Sequence, residues 1–337
     1  MNPNTRSPLT LFLIKKYQAS GSYNQGSNSL KLSARFVVNM ILREGHRAAL
    51  VEAENQNFIR EAIDEHRPAI VILEALWVTP GKMGELKRAY PQIRFVVRIN
   101  SEVPFLAGEG IGVEWVAAAM KMGVEIAFNS SQARDDFKII GESAYLPNYY
   151  PLRMIRHQAV MGETIDVGCF GAIRTLKNQL EQAFAAVRYA KELGKPMVFH
   201  VNDSADNQEV NAIKKSIRGV VQSTGNSVIF HPWLDHEAFL DLIASMDICL
   251  QVSFSESFNI TSADAVSMGV PLVGSDAVRW LPKRSKAHTG SSQSIVDAMW
   301  RADKTGIAMN HASLEEYLEI SVNVWNEFIE GPYVRSR

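Results

Sequence analysis

Two acidic residues lie close to a predicted helix start in the second half of the chain. An apolar run ends near Ser253, and Glu256 follows it in a polar turn. A helix is predicted to begin near Thr261 and to stop at Gly269, which places Asp264 in its first turn. The exposed N–H groups of such a helix start bind phosphate, whereas carboxylates repel it. Glu256 and Asp264 are therefore better suited to accept hydrogen bonds from hydroxyl groups of a ligand.

A purely structural interpretation of these acids is also open. Thr261 and Asp264 have the spacing of a capping-box variant, in which both side chains satisfy the helix start. Glu256 would then be an ordinary solvated acid in a loop. On spacing alone the two interpretations are equally good.

Two basic residues follow a predicted strand and a glycine turn at the start of the same half. The strand over 166–170 leads into Gly171, and Arg174 and Lys177 come next, at the start of a predicted helix over 176–193. Two cations at such a position can neutralise the charge that develops on a diphosphate leaving group. Each of them alone is also compatible with a solvated residue at a helix start.

The segment 253–273 resembles the donor-site signature of the retaining GT-B glycosyltransferases of family 4, in which two acids are separated by seven residues. The resemblance implies that Glu256 holds hydroxyls of a donor sugar and that Asp264 holds the ribose hydroxyls of its nucleotide. The chain departs from the signature at Asn259, where the family has glycine, and at Asp264, where it has glutamate. The matching positions are Glu256, Phe258, Ala265, Gly269 and Pro271, and the implied donor-binding positions include Ser257, Phe258, Asn259 and Asp264.

The basic segment is similar to a second stretch of the same family. Lys177 falls six residues after Gly171, as it does there. The arginine that follows the glycine in the family is replaced by Ala172, so Arg174 would reach the phosphates from a shifted position. The resemblance implies Lys177, Arg174 and Glu256 as catalytic residues, Gly171 as a donor contact, and Trp233 and Leu234 as the turn that meets the nucleotide base.

The resemblance also implies the reaction, which is transfer of a sugar from a nucleotide diphosphate sugar with retention of configuration. A UDP-linked sugar is the expected donor, and no other cofactor is expected. No metal is expected either, because the eight histidines show no ligand spacing and no Asp-x-Asp pair is present.

Residues that meet the acceptor are expected in the first half of the chain. Residues 21–28 follow the first predicted strand, and loops rich in Gly, Ser and Asn can bring backbone close to a ligand. A surface loop is the alternative. A second predicted strand, Arg94–Ile99, ends in a polar segment where many relatives carry a histidine that this chain lacks. The candidate acceptor residues are Ser22, Tyr23, Asn24, Asn100 and Glu102.

Two classes of acceptor are open. Residues 1–156 hold 19 Lys+Arg against 15 Asp+Glu, which suits an anionic partner. Residues 74–77, 98–105 and 147–150 resemble phage-encoded glycosyltransferases, some of which modify hydroxymethylated pyrimidines in DNA. The acceptor is expected to be a saccharide or such a base in phage DNA. A non-catalytic GT-B protein that binds a nucleotide or a glycan is the alternative function, and a two-domain binding protein of periplasmic type is disfavoured.

Short apolar runs alternate with segments of helical period, which predicts parallel sheets covered by helices on both faces. With the resemblance, this predicts an α/β fold of GT-B type, two Rossmann-like doubly wound domains that face each other across a cleft. The domains are expected at 1–156 for the acceptor and 157–312 for the donor, followed by a packing helix and tail over 313–337, with a proline-bounded linker over 147–151. Strands are predicted at 9–14, 47–51, 69–74, 94–99, 124–128, 143–146, 166–170, 196–201, 227–231, 248–252 and 271–273, and helices at 30–44, 57–66, 84–90, 113–122, 132–139, 176–193, 208–223, 237–245, 261–268, 292–302 and 313–329.

The composition is that of a globular protein, with 337 residues of which 46% are hydrophobic and 21% charged, and it excludes disordered, collagen-like and disulfide-rich classes. The longest apolar runs fall well short of the ~20 residues that cross a bilayer, so no membrane insertion is expected. The first eight residues lack the pattern of a signal peptide. Cys169 and Cys249 lie in apolar runs and are expected to be buried thiols. These features predict a cytoplasmic protein.

Overall fold

The computed structural model describes residues 8–16, 24–153, 162–204 and 207–331 of the chain, with only the backbone of residues 24–28. Parallel strands alternate with helices along most of this described part, as the sequence predicts. The chain divides into two compact units. Of the described residues, the first contains 8–16, 27–151 and 318–331, and the second contains 24–26 and those between 152 and 317. The boundary predicted after residue 156 falls outside the described residues.

The first unit is built on a parallel sheet of six strands. Its strands are β1 (Leu9–Lys15), β2 (Arg47–Ala53), β3 (Ile70–Glu74), β4 (Arg94–Ile99), β5 (Glu125–Phe128) and β6 (Ala144–Tyr145), in the order β2-β1-β3-β4-β5-β6. Its helices are α1 (Asn24–Arg43), α2 (Phe58–His66), α3 (Pro80–Ala89), α4 (Val103–Glu109), α5 (Gly112–Lys121) and α6 (Ser131–Phe137). Leu11 and Leu13 pack into one hydrophobic core and Phe12 into another, because alternate side chains of a strand point to opposite faces. Both faces of the sheet are therefore buried.

The second unit has a parallel sheet of five strands. Its strands are β7 (Ile165–Gly168), β8 (Met197–Asn202), β9 (Ser227–His231), β10 (Ile248–Gln251) and β11 (Leu272–Gly274), in the order β11-β10-β7-β8-β9. Its helices are α7 (Gln179–Leu193), α8 (Gln208–Ser223), α9 (His236–Ala244), α10 (Ile260–Ser267), α11 (Ser292–Arg301) and α12 (Lys304–Glu330), whose last residues belong to the first unit. The strand order reverses at β7, which pairs with β8 on one side and β10 on the other. In open α/β sheets such a reversal leaves a crevice at the carboxyl ends of the two strands, where ligands bind.

Two helices, α1 and α12, begin six or more residues earlier than predicted. α12 begins at Lys304 rather than near residue 313, since the Asp303 carboxylate accepts a hydrogen bond from the Gly306 N–H at 2.9 Å and caps the helix. α1 begins at Asn24, so the loop predicted over 21–28 is helical from that residue onward. Ser22 and Tyr23 lie outside the described residues.

The sequence predicts no helix where α4 lies. Pro104 stands in its first turn and Gly108 near its end, and both lower helix propensity, although proline is tolerated at a helix start. In the described residues no single helix has the length and hydrophobicity to span a membrane; α4 and α5 pass that test only as a pair, which is bent by 99°.

The segment 147–151, predicted as a linker, is closely packed in the first unit. Tyr150 is buried, and its ring meets that of Phe36 edge-on at 5.4 Å. The Pro147 carbonyl accepts a hydrogen bond from Trp325 Nε1 at 2.8 Å. The prolines prevent regular structure here, but the buried aromatic and the carbonyl contact fix the chain in place.

A buried ion pair lies at the carboxyl ends of β3 and β4. Arg98 and Glu74 have no exposed side-chain surface, and Arg98 Nη1 donates to the Glu74 oxygens at 3.0 and 3.1 Å. Arg98 Nε donates to the Leu146 carbonyl at 2.9 Å, and Nη2 donates to Asn148. All three guanidinium nitrogens are thus engaged, as a buried charge requires. Arg98 thereby holds the segment after β6 against the sheet.

Arg98→Leu is expected to lower the free energy of unfolding by about 3–5 kcal/mol, since it leaves the Glu74 carboxylate buried without its cation. Urea unfolding of the full chain measures this loss. Arg60→Leu is the matched control, because its ion pair with Glu85 is 45% and 44% exposed, and we expect it to leave the free energy of unfolding nearly unchanged. Equal losses in the two variants would contradict the assignment.

Candidate functional site

The loops that follow β7 and β10 are tied to each other at the strand reversal. Gln251 Nε2 donates to the Phe170 carbonyl at 2.9 Å, which links the end of β10 to the turn after β7. Two further hydrogen bonds join these loops: the Phe254 N–H donates to the Leu176 carbonyl at 2.9 Å, and Asn178 Nδ2 donates to the Val252 carbonyl at 3.1 Å. Both loops, which carry most of the predicted donor-side residues, are therefore held in one arrangement.

Lys177 and Glu256 form the central ion pair of these loops. Lys177 Nζ lies 2.6 Å from Glu256 Oε1, and the side chains are 18% and 9% exposed. Lys177 ends a single helical turn, Thr175–Lys177, because Asn178 adopts a left-handed conformation with φ of 57°. The interpretation of Glu256 as a solvated loop acid is wrong, since the carboxylate is mostly buried and paired.

Gly171 lets the backbone pass close to this cation. Its φ of +112° is a conformation that residues with a side chain rarely adopt. A Cβ atom there would lie 4.0 Å from Lys177 Nζ, and the Gly171 N–H donates to Asn202 Oδ1 at 2.7 Å. The predicted glycine turn therefore lies beside the predicted lysine.

The pKa values of two buried thiols depend on charged residues of the site. Cys169 and Cys249 are free and buried, as predicted. Burial raises the pKa of Cys169 to about 12, although the positive charge of Lys177 opposes the rise. Burial also raises the pKa of Cys249, with added contributions from Cys169 and from the negative charge of Asp264. The charge of Lys177 therefore reaches Cys169, and that of Asp264 reaches Cys249.

α10 starts at the end of the second loop, one residue earlier than predicted. Its cap is Asn259, whose Oδ1 accepts from the Ser262 N–H at 2.8 Å and whose Nδ2 donates to Gln251 at 2.9 Å. The capping-box interpretation of Thr261 and Asp264 is therefore wrong. Asp264 is the fifth residue of α10 instead of lying in its first turn. Its carboxylate is buried and lies 2.8 Å from Nε2 of His236, the first residue of α9.

The backbone of Asn259 is strained, since its φ of 65° lies in the left-handed region. Its side chain makes the two hydrogen bonds described above. Asn259→Gly loses the cap but removes the strain, whereas Asn259→Ala loses the cap and keeps the strain. We expect Asn259→Ala to be the less stable variant by about 1–2 kcal/mol. Thermal unfolding of the two variants checks this difference, and equal melting temperatures would contradict it.

The remaining donor-side predictions fall in three different environments. The Phe258 ring is buried and stacked on Tyr317 at 5.2 Å, so only its main chain can meet a ligand. Trp233 is half-buried and Leu234 is exposed in the connection between β9 and α9. Ser257 is half-buried in the loop before α10.

Arg174 lies near the start of α8 as well as near Lys177 in sequence. Hydrogen bonds from the Thr175 N–H and hydroxyl lower the pKa of Glu209, and the charge of Arg174 lowers it further. Arg174 itself is half-buried. The structure thus places its charge close to Glu209, while Lys177 pairs with Glu256.

The acceptor-side candidates of the first unit, Asn100 and Glu102, lie after β4 and are not freely exposed. Asn100 Nδ2 donates to Glu74 at 2.8 Å, and Asn100 Oδ1 accepts from Arg98 Nη1 at 3.2 Å. Glu102 is buried and precedes α4. The side chain of Asn24 lies outside the described residues.

The sequence analysis did not identify several residues that shape the site. Gln251 and Asn178 connect the two loops, and His236 pairs with Asp264. Asn178 stands next to Lys177 in the recognised segment, which could have indicated it, but nothing local indicates Gln251 or His236. Within the described residues no group of three or more His, Cys, Asp or Glu side chains could hold a metal ion.

Three polar side chains on neighbouring strands of the second sheet contact one another in a row. His200 Nε2 lies 2.9 Å from Asp166 Oδ1, and His200 Nδ1 lies 2.8 Å from His231 Nε2. The two rings are stacked, and burial together with the neighbouring His200 lowers the pKa of His231. His231 is the last residue of β9, so these side-chain contacts fix the end of the strand that leads to Trp233.

No family model and no curated protein sequence matches the chain. Solved structures match it instead. A UDP-forming α,α-trehalose-phosphate synthase from Burkholderia xenovorans has a TM-score of 0.66 at 10% identity, covering 96% of this chain and 99% of that one. The E. coli trehalose-6-phosphate protein bound with UDP-2-fluoro glucose has a TM-score of 0.65 at 10% identity, covering 97% and 100%. HepE from Anabaena, in complex with UDP and glucose, has a TM-score of 0.62 at 12% identity, covering 95% and 99%.

At these identities the likeness establishes the shared fold. These neighbours support neither family 4 nor the phage-encoded type. They do match both units along nearly the whole chain, and the predicted α/β class with two Rossmann-like units is confirmed. The chain has the fold of the GT-B glycosyltransferases.

Proposed function

We propose that this chain is a glycosyltransferase that transfers a sugar from a nucleotide diphosphate sugar to a hydroxyl acceptor with retention of configuration. The observation that carries the proposal is the Lys177–Glu256 ion pair at the carboxyl ends of β7 and β10. A cation beside a carboxylate supplies what such a donor needs, a charge for the diphosphate and an acceptor for sugar hydroxyls.

The nucleotide is proposed to be UDP. This choice is supported by the structural neighbours, which include a UDP-forming synthase and complexes with UDP-2-fluoro glucose and with UDP and glucose. In this proposal Gly171 and the start of α10 face the diphosphate, with Ser257, Asn259 and the main chain of Phe258 in the adjoining loop. Trp233 and Leu234 meet the base, and Asp264 belongs to the ribose end of the site.

The proposed reaction is a substitution on one face of the donor sugar. The acceptor oxygen attacks the anomeric carbon from the side on which the diphosphate leaves. The bond between that carbon and the diphosphate oxygen breaks, its electron pair stays with the diphosphate, and this leaving group takes the acceptor proton. Lys177, with Arg174, stabilises the developing negative charge, and Glu256 holds the donor hydroxyls. No metal or other cofactor is required in this scheme, because the side chains supply the charge.

The acceptor is proposed to be a saccharide hydroxyl. Support comes from the neighbours described as a trehalose-phosphate synthase and as a complex with glucose. A hydroxymethylated pyrimidine in DNA is the second class that the sequence suggests, and these neighbours give it no support. Asn100 and Glu102 remain the candidate acceptor residues of the first unit, and Ser22, Tyr23 and Asn24 those before or at the start of α1.

Product analysis tests the proposal. The purified chain is incubated with a panel of nucleotide sugars and with saccharides, or with DNA containing hydroxymethylcytosine, in the presence of EDTA. We expect release of UDP and, by mass spectrometry, addition of one sugar unit to a saccharide. Addition to the DNA would move the acceptor to the second class. Nucleotide binding without release of sugar from any donor would instead support the non-catalytic alternative.

A further inference from the structure

Three alternate N–H groups of the loop after β7 donate to side chains of one neighbouring stretch of chain. That stretch runs from the last residue of β8 to the second residue of α8. The pairs are Gly171 with Asn202 Oδ1 at 2.7 Å, Ile173 with Ser204 Oγ at 2.9 Å, and Thr175 with Glu209 Oε1 at 2.9 Å. The loop that carries Lys177 is therefore held against the start of α8.

Glu209 holds the start of the helical turn that ends at Lys177. Its Oε1 accepts from both the N–H and the hydroxyl of Thr175, the latter at 2.8 Å, and Thr175 is the first residue of that turn. These two donors lower the pKa of Glu209, so its carboxylate is ionised at neutral pH. A charged acceptor makes stronger hydrogen bonds than a neutral one.

The end of the same turn is fixed by a different residue. Gln182 Nε2 donates to the Lys177 carbonyl at 2.8 Å, and Gln182 Oε1 accepts from the Val252 N–H at 2.8 Å. The direction of the Lys177 side chain therefore depends on contacts at both ends of the turn. Loss of Glu209 would release the start of the turn while Gln182 still holds its end.

We propose that Glu209 is a positioning residue that aligns the Lys177 ammonium with the leaving diphosphate. This rests on the proposed function and deepens it, since it assigns part of the alignment of the lysine to α8, outside the segments that the sequence analysis identified. The alternative is a purely structural acid, because acids are favourable in the first turn of a helix. Such an acid would affect the stability of α8 and not the transfer step.

Hydrogen exchange on the full chain tests whether Glu209 holds the turn. In Glu209→Leu, amide exchange in a peptide covering 171–178 should be about 3- to 10-fold faster than in the wild type, the range of one net hydrogen bond. Glu209→Gln should restore the protection, because an amide oxygen accepts from the same donors. Gln208→Leu is the matched control, since Gln208 is the preceding, exposed residue of α8, and it should exchange as the wild type does.

Steady-state kinetics with the donor identified by product analysis tests the effect on transfer. Glu209→Leu should lower kcat about tenfold with little change in KM, since a displacement of about 1 Å can cost up to about 100-fold. Glu209→Gln should keep most of the wild-type kcat. In the Lys177→Ala background Glu209→Leu should lower kcat no further, because Glu209 acts through Lys177.

Unchanged exchange or unchanged kcat in Glu209→Leu would overturn the assignment. So would a Glu209→Gln protein as slow as Glu209→Leu, because that result would assign the effect to charge. A further loss of kcat in the Lys177→Ala background would indicate a structural role and would also overturn it. Each of these results leaves the proposed function standing. Absence of transfer by the wild type from every donor would overturn the proposed function and this inference together.

Discussion

Lys177→Ala is expected to lower kcat/KM for the nucleotide sugar roughly 30- to 1,000-fold, which corresponds to a loss of about 2–4 kcal/mol of transition-state stabilisation. The physical reason is that the Lys177 ammonium is held near the carboxyl end of β7 by its contact with Glu256 before any ligand binds. A preorganised charge stabilises the leaving diphosphate most strongly in the transition state, so kcat should fall more than KM rises. Steady-state kinetics with the donor identified by product analysis measures both constants.

The control for this variant is Lys215→Ala, which removes the same charge from an exposed position of α8. It should retain wild-type kcat/KM. Circular dichroism and thermal unfolding establish that the Lys177 variant is folded, as its partly exposed side chain leads us to expect. A folded Lys177→Ala protein with unchanged turnover would refute the catalytic role.

Glu256→Gln is expected to have two effects of opposite sign. In the resting site the carboxylate competes with the diphosphate for Lys177, from which it lies 2.6 Å away, and it also repels a bound diphosphate. Removing its charge should therefore tighten UDP binding. The same change weakens the hydrogen bonds that donor hydroxyls make to a charged acceptor, which are worth about 1.5–3 kcal/mol, so transfer should slow by at least about tenfold.

Calorimetry with UDP and steady-state kinetics of transfer measure the two effects on one preparation. The gain in UDP affinity should shrink as salt is raised, because it is electrostatic. Glu237→Gln serves as the control, since it removes an exposed carboxylate from the same unit. If UDP affinity and turnover both fell together in Glu256→Gln, competition for Lys177 would not be a property of the site.

The alternation of strands and helices could be predicted because each element has a strong local signal. The strands are short apolar runs bounded by polar turns, and β4 and β9 have the predicted limits. The predicted helix limits were wrong where a single residue determines the start or the interruption of a helix. Asp303 extends α12 toward its N-terminus, and Asn178 interrupts the helix predicted from residue 176.

The spatial grouping of the candidate site residues could be anticipated only in part. Residue types and spacing indicated Gly171, Lys177 and Glu256, and the structure brings these three together. Spacing could not reveal that Asp264 is buried, because burial depends on α9 packing against α10. Asp264 therefore has His236 as a partner, which lies 28 positions earlier in the sequence.

By itself the sequence determined the fold class and the segments that carry charge, since periodicity and glycine turns are local properties of the chain. The tertiary structure decided which charges neutralise one another. Lys177 meets Glu256 across 79 positions because β7 and β10 are neighbours in the second sheet, and Arg98 meets Glu74 because β3 and β4 are neighbours in the first. Strand order is a long-range property, and no local pattern encodes it.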